Sequence, residues 1–350
     1  LEGLRREIRW WASRLGGRRV LDTLYVGGGT PSILPPEILE ECFSILDGAF
    51  ERPDFCEATV EANPGTLTES LLDRLEAHRV NRISLGVQSL DEGELRLLGR
   101  IHDGATAWAS AEAVRRRGIK LNCDLMFALP SQGLRSWART LEGVLALEPD
   151  HISTYQLTVE PGTEFDRADP ELPEGYPFYR YAQWRLRRAG FLQYEIAAFA
   201  RVGVSDSGGF PRARVCRHNL AYWEGREVLG VGPAAWGFLA GVRYGNRRTL
   251  ADWAGRLAEG RGPVGGIDRL GDSARAREMA ILATRTCFGL RPAVQSRRHG
   301  GDGLRRLLSR LGAFPPDWVE FAPGSVRLSP RGMRMANQVW TEMVRSVEEG

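Results

Sequence analysis

The sequence predicts an α/β protein built on a parallel sheet, open or barrel-like. Three observations carry this. Five apolar, strand-like runs recur at Leu21–Val26, Ala58–Ala62, Arg82–Gln88, Lys120–Ala128 and His151–Val159. Helical patterns lie between them. Polar residues gather where each strand ends, the place where parallel α/β sheets bind ligands.

The elements follow in order. Leu1–Leu15 reads as a helix. Ile38, Leu39, Cys42, Leu46 and Phe50 make one apolar stripe at 3.6 spacing after Pro35-Pro36. Thr66-Leu67-Thr68-Glu69 has the form of a capping box before Leu71, Leu72 and Leu75. Trp108, Ala111 and Val114 make a third stripe closed by Gly118, and Trp137, Leu141, Val144 and Leu145 a fourth. Toward the C-terminus, Arg275–Thr284 reads as a helix. Gly303–Leu311, Trp318–Phe321, Val326–Leu328 and Arg331–Val344 read as helix, two short strands and helix, a winged-helix-like order. Such modules often bind DNA, and Arg305, Arg306, Arg310, Arg331 and Arg334 would suit phosphates.

Composition narrows the class. At 350 residues the chain has room for one large α/β domain and an appendage. Its 43% hydrophobic and 26% charged content is ordinary for a globular protein. No run of 18 apolar residues occurs, so no membrane span is expected. Leu1–Trp11 has no signal-peptide core, which points to the cytoplasm. A net charge of +3 does not call for nucleic acid. Lys120 is the only lysine, as expected of a genome rich in guanine and cytosine. Five scattered cysteines, at 42, 56, 123, 216 and 287, read as reduced thiols.

Two glycine clusters differ in kind. Gly27-Gly28-Gly29-Thr30-Pro31-Ser32 follows the first strand, and its bare backbone can approach a ligand closely. A tight strand-to-helix turn is the competing reading. Gly230-Val231-Gly232-Pro233-Ala234-Ala235 fits a dinucleotide fingerprint, but Pro233, Gly237 and Gly241 would spoil the helix that must hold a pyrophosphate. Later strands end in Glu61-Ala62-Asn63-Pro64 and Gln88-Ser89. Asp124 interrupts an apolar run, and Tyr155-Gln156 lies in the fifth strand. A buried carboxylate such as Glu61 or Asp124 needs a partner, which a ligand with hydroxyls and an ammonium group would supply.

Cys216-Arg217-His218-Asn219-Leu220-Ala221-Tyr222-Trp223 places an imidazole among aromatic rings. In a helix, His218 and Tyr222 share a face. That suits a flat, metal-centred ligand such as haem. On the octapeptide alone, a hydrogen-bonded histidine at the edge of a core competes with this reading.

The ordered motifs Gly-Gly-Gly-Thr-Pro-Ser, Glu-Ala-Asn-Pro-Gly, Ser-Leu-Gly-Val-Gln-Ser, Gly-Arg-x-His and Asp-Leu-Met-Phe-Ala-Leu-Pro-x-Gln, with His-Asn-x-x-Tyr-Trp, resemble the HemW-type haem chaperones. These belong to the radical S-adenosylmethionine superfamily and are relatives of oxygen-independent coproporphyrinogen oxidase. The resemblance implies a partial (β/α)6 barrel. It divides the chain into a core barrel at 1–200, a haem-motif and connecting region at 201–265, and a C-terminal winged-helix-like domain at 266–350. It implies S-adenosylmethionine contacts at Gly28, Gly29, Thr30, Glu61, Gln88, Arg100, Asp124 and Gln156. Haem would meet His218 through its iron, with Asn219, Tyr222 and Trp223 around it. The family's Cys-x-x-x-Cys-x-x-Cys loop, which holds a 4Fe–4S cluster, is missing here along with its strand. The chain opens on Leu1 and is read as a truncated product, with one strand edge left unpaired. Ser205–Ala213 reads as an inserted loop. The implied function is a cytoplasmic chaperone that delivers haem to recipient haemoproteins, with homodimerisation and peripheral membrane contact left open. The alternatives are a coproporphyrinogen III oxidase and a cluster-free scaffold or nucleic-acid-binding relative.

Overall fold

The computed structural model describes residues 1–16, 20–203, 210, 213–293 and 302–345. The first half alternates helix and strand: α1 (Glu2–Leu15), β1 (Thr23–Val26), α2 (Pro36–Asp47), β2 (Glu57–Ala62), α3 (Glu69–Ala77) and β3 (Arg82–Gln88). It continues through α4 (Glu92–Leu97), α5 (Gly104–Arg116), β4 (Lys120–Phe127), α6 (Leu134–Ala146) and β5 (His151–Gln156). Then come α7 (Glu164–Ala168), α8 (Gly175–Arg188), β6 (Phe191–Gln193), β7 (Ala198–Arg201) and α9 (Arg217–Trp223). A three-stranded group follows: β8 (Trp236–Leu239), β9 (Val242–Asn246), α10 (Leu250–Ala258) and β10 (Val264–Asp268). The chain closes with α11 (Asp272–Thr284), α12 (Asp302–Leu311), β11 (Val319–Ala322), β12 (Ser325–Leu328), α13 (Pro330–Arg334) and α14 (Ala336–Arg345).

The strands form a seven-stranded sheet in the order β1-β2-β3-β4-β5-β7-β6. From β2 to β5 the pairing is parallel, and β7 and β6 add antiparallel. β3 is buried along nearly its whole length, with Ile83, Leu85 and Val87 fully enclosed. A central parallel strand is covered on both faces, so the alternate residues Arg82 and Ser84 are buried as well. The expected mainly parallel α/β fold is present, and β1 lies at one edge of the sheet.

The chain separates into two compact units. One comprises Leu1–Leu24, Pro35–Glu57 and Cys216–Gly350; the other comprises Tyr25–Leu34 and Ala58–Val215. In the first, α1 packs on α2 and α10, and Glu7 is fully buried. It accepts from the Gly232 amide at 2.8 Å, Asn246 Nδ2 at 2.7 Å, Trp253 Nε1 at 2.9 Å and Trp11 Nε1 at 3.4 Å. The second glycine cluster therefore gives an amide to Glu7 and runs into strand β8. The C-terminal helix–hairpin–helix order is present as expected, with β11 and β12 antiparallel.

Local expectations shift in three places. The cap of α3 is Thr68, whose hydroxyl accepts from the Leu71 amide at 3.1 Å. Thr66 instead donates to the Asn63 carbonyl and meets Ser32, so it serves the preceding loop. Trp108 is 45% exposed; the buried face of α5 is made by Ala107, Ser110, Ala111 and Val114. The single helix expected over Arg331–Val344 breaks at Met335, whose amide bonds back to the Gly332 carbonyl at 2.9 Å. The loop expected at Ser205–Ala213 lies outside the described residues, apart from 210 and 213.

Candidate functional site

β1 leads into Gly27-Gly28-Gly29. Glu61, on β2, holds this turn: it accepts from the Gly28 amide at 3.0 Å and the Tyr25 hydroxyl at 2.9 Å. A Cβ on Gly27 would sit 2.5 Å from the Glu61 carboxyl carbon, whereas nothing lies within 4 Å of one at Gly28 or Gly29. Gly28 also has φ 93, a backbone state that suits glycine. The first glycine thus makes room for the carboxylate, and the next two leave the backbone bare. Gly27→Ala is expected to cost about 1–3 kcal/mol of stability through overpacking. Gly29→Ala should stay within about 0.5 kcal/mol. Urea unfolding of the two variants checks this; equal losses would mean that Glu61 yields freely.

A second group gathers beside the turn. Asn63 donates to Thr30 Oγ1 at 3.1 Å and accepts from Arg100 at 2.5 Å. Arg100 also donates to the Gly86 carbonyl at 2.9 Å. A Cβ on Gly86 would lie 3.1 Å from both the Arg100 guanidinium and the Gln88 amide nitrogen, and 3.2 Å from Asn63 Oδ1. Gln88, Arg100 and Asn63 therefore converge on a position where only hydrogen fits comfortably.

Asp124, on β4, accepts from Ser84 at 2.7 Å and Asn122 at 2.9 Å. Burial pushes its carboxyl above the usual range, against these hydrogen bonds. The Arg82 charge also pulls it down, less than the hydrogen bonds do. Behind it runs a buried chain. His151 Nδ1 donates to Asn122 Oδ1 at 2.6 Å, and its Nε2 accepts from the Tyr194 hydroxyl at 2.8 Å. Burial holds His151 well below its usual value, in keeping with a neutral ring. Gln156 stands apart: a Cβ on Gly175 would strike its amide oxygen at 2.2 Å, so its side chain lies against the start of α8.

In the other unit, α9 carries His218, Asn219, Tyr222 and Trp223. The buried Glu57 accepts from the amides of Arg217 and His218, both at 3.0 Å. A carboxylate at a helix N-terminus satisfies amides that the helix cannot. His218 Nδ1 lies 2.9 Å from Thr23 Oγ1. Burial draws His218 down to about 4, so the ring is neutral at physiological pH. The Tyr222 ring meets it edge-on at 5.3 Å, as the i,i+4 spacing requires. Tyr222 is 40% exposed and Asn219 half-buried. Trp223 turns elsewhere: the Arg285 guanidinium stacks on its ring at 4.2 Å, and the same guanidinium approaches Trp340 at 5.3 Å.

The five cysteines are not gathered. Cys56, Cys123 and Cys216 are buried, and Cys42 and Cys287 half-buried. Burial pushes the thiols of Cys42 and Cys123 up, and that of Cys287 to about 11, away from the thiolate that iron needs. Among the described residues no group of three or more His, Cys, Asp or Glu could hold a metal ion. These residues do not fit a 4Fe–4S cluster. No helix among the described residues is long and apolar enough to cross a membrane.

Sequence reasoning missed Asn63, Ser84, Asn122, Thr23 and Glu57. Asn63 lies inside a recognised motif and could have been singled out. Thr23 and Glu57 carry no local signal, because their partners lie 195 and 161 residues away.

The sequence model of the Radical SAM superfamily matches residues 5–143. The chain is 39% identical over 234 residues to the Bos taurus "Radical S-adenosyl methionine domain-containing protein 1, mitochondrial", covering 64% of this chain and 50% of that one. It spans about half the length of several such relatives. It is also 33% identical over 298 residues to a "Heme chaperone HemW" of Mycobacterium tuberculosis, covering 83% of this chain and 74% of that one. Among solved structures, the coproporphyrinogen III oxidase (HemN) of Escherichia coli matches with a TM-score of 0.82. That match covers 98% of this chain and 82% of the other at 21% identity, and speaks for the fold alone. With the superfamily match and three quarters of a chaperone relative accounted for, the chain belongs to the HemW family of the radical SAM superfamily.

Proposed function

We propose that this protein is a haem chaperone that takes up haem through His218 and passes it to recipient haemoproteins. The observation that carries the reading is the pairing of His218 Nδ1 with Thr23 Oγ1. On this reading iron would take Nε2 while Nδ1–H is donated to the Thr23 hydroxyl, since the second nitrogen of a metal-bound histidine usually meets an orienting group. The depressed pKa supplies the neutral imidazole that iron needs. The half-exposed Tyr222 beside it offers an aromatic edge to the macrocycle. Asn219 and Trp223 complete the motif, with Trp223 anchoring α9 through Arg285.

The second unit is proposed to hold S-adenosylmethionine. The residues fit such a ligand: a bare Gly28-Gly29 backbone, a raised Asp124 carboxyl, and the Thr30–Asn63–Arg100–Gln88 cluster. Gly28 and Gly29 would meet the methionine moiety. Asp124, Gln88 and Glu61 would take hydroxyls and the ammonium, and Arg100 the carboxylate. Each Glu61 oxygen already accepts one bond and has a second lone pair to offer. Gln156 would have to swing off Gly175 to join them. With no cluster fitted by the cysteines, no radical step is assigned to these side chains.

Haem titration across pH tests the chaperone reading. A histidine with its ordinary pKa loses half its ligating form near pH 6.5. Here protonation is pushed down to about 4. Binding should therefore stay flat from about pH 8 to about pH 5 and fall only below that. The sign for the fold is the same: a depressed histidine lends stability above its unfolded pKa, and that is lost as pH falls toward 4. A binding midpoint near pH 6.5 would mean that an exposed histidine, not His218, takes the iron.

A further inference from the structure

β3 ends in an unfavourable backbone state. Gln88 has φ 64, and the amide of Ser89 donates back to the Val87 carbonyl at 2.8 Å. A three-residue turn with positive φ at its centre is the rare, strained hand of the γ-turn, and a residue with a Cβ resists it. Such strain persists only where the surroundings over-determine it, and it clusters at functional sites.

The surroundings here grip both sides of Gln88. Downstream, the fully buried Ser89 donates to Glu94 Oε2 at 2.6 Å, accepts from the Asp91 amide at 3.0 Å and lies 3.2 Å from Thr140 Oγ1. Upstream, the Val87 carbonyl meets His102 Nε2 at 3.3 Å. A carbonyl only accepts, so Nε2 carries the proton. His102 is 6% exposed, and its Nδ1 is buried with no hydrogen-bond partner. Among the described residues, the turn is the one hydrogen-bond partner of its ring. Burial keeps the ring below its usual pKa, consistent with the neutral form.

We infer that His102 is a positioning residue. With the Ser89–Glu94 pair it holds the strained Gln88 turn, and so delivers the Gln88 amide to the Asn63–Arg100 cluster over Gly86. The functional half of this inference rests on reading that cluster as the S-adenosylmethionine site. His102 itself touches no ligand; it acts through Val87 and Gln88.

A double-mutant cycle tests the clamp without any ligand. Glycine adopts positive φ at little cost, so Gln88→Gly removes the strain. His102→Phe lets the strained parent turn relax, which offsets part of the cost. It should therefore lower the urea midpoint less in the parent than in the Q88G background, where no strain is left to release. His102→Gln, which keeps an N–H donor, should recover most of the parent value. Equal losses from H102F in both backgrounds would reduce His102 to core packing and overturn the inference. A calorimetric arm uses S-adenosylhomocysteine as the probe on the full chain. H102F should weaken binding at least fivefold and H102Q less than twofold. Unchanged binding in H102F overturns the positioning role. If the parent itself does not bind the probe, the cofactor reading falls and takes the functional half with it, while the unfolding cycle still decides the clamp.

Discussion

Replacing His218 by alanine should weaken haem binding at least tenfold, a loss of about 1.4 kcal/mol or more. It should also remove the histidine-type Soret band. The ring suits iron better than Tyr222, whose phenol burial keeps from ionising; Glu57 holds the His218 amide and Thr23 meets the ring at Nδ1. Tyr222 remains in the variant, so some apolar haem association should persist without axial ligation. Thr23→Val separates ligand from orienter. It keeps the imidazole and removes its Nδ1 partner, so affinity should fall by less than in the alanine variant while the Soret position holds. The measurement is absorbance titration with haem on three proteins. Parent-like affinity and spectrum in H218A would remove the proposed function.

Glu7→Ala should be strongly destabilising. It strands four buried donors at once: the Gly232 amide, Asn246, Trp253 and Trp11. A buried donor left unmet costs about 1–3 kcal/mol. The four share one cavity and will not add, so a loss on the order of 4 kcal/mol is expected. Glu7→Gln should lose less, since it keeps one acceptor oxygen. Burial raises the Glu7 pKa, its largest influence. Folding therefore makes Glu7 harder to ionise than it is in the unfolded chain, although its four donors pull the other way. The stability Glu7 lends is fullest below the ordinary glutamate pKa and declines as pH rises through its own, higher one. The gap between parent and E7Q should narrow accordingly from acid to neutral pH. Chemical unfolding at two pH values reads it, and a constant gap would mean that Glu7 is not desolvated.

The strands of the sheet were legible because their signal is local. Arg82–Gln88 sets Ile83, Leu85 and Val87 at alternate positions, the period of a strand, and its bounds match the observed β3. Trp137, Leu141 and Val144 announce the buried face of α6 at 3.6 spacing. β6, β7 and the β8–β10 group were not legible. They are short antiparallel pieces with few residues to show a period, and β8, β9 and β10 carry glycine as well. Thr66 was a plausible cap by pattern, yet Ser32 and Asn63 compete for its hydroxyl and Thr68 is left to cap α3.

The sequence alone determined the order of strands and helices, the bare Gly28-Gly29 turn, and the motifs that tie the chain to its family. These depend on spacing along a few turns of chain or on the conformational freedom of glycine. Tertiary structure alone decided which polar groups answer one another. Glu57 caps the helix of His218, Thr23 orients that ring, Glu7 gathers α1, β9 and α10, and His102 grips the turn at Gln88. A buried donor or acceptor must find a partner, but nothing in its own stretch of sequence names which one. Gln88 makes the point most sharply. A glycine there would have announced its positive φ, whereas a glutamine reaches it only because the packed surroundings on both sides hold it.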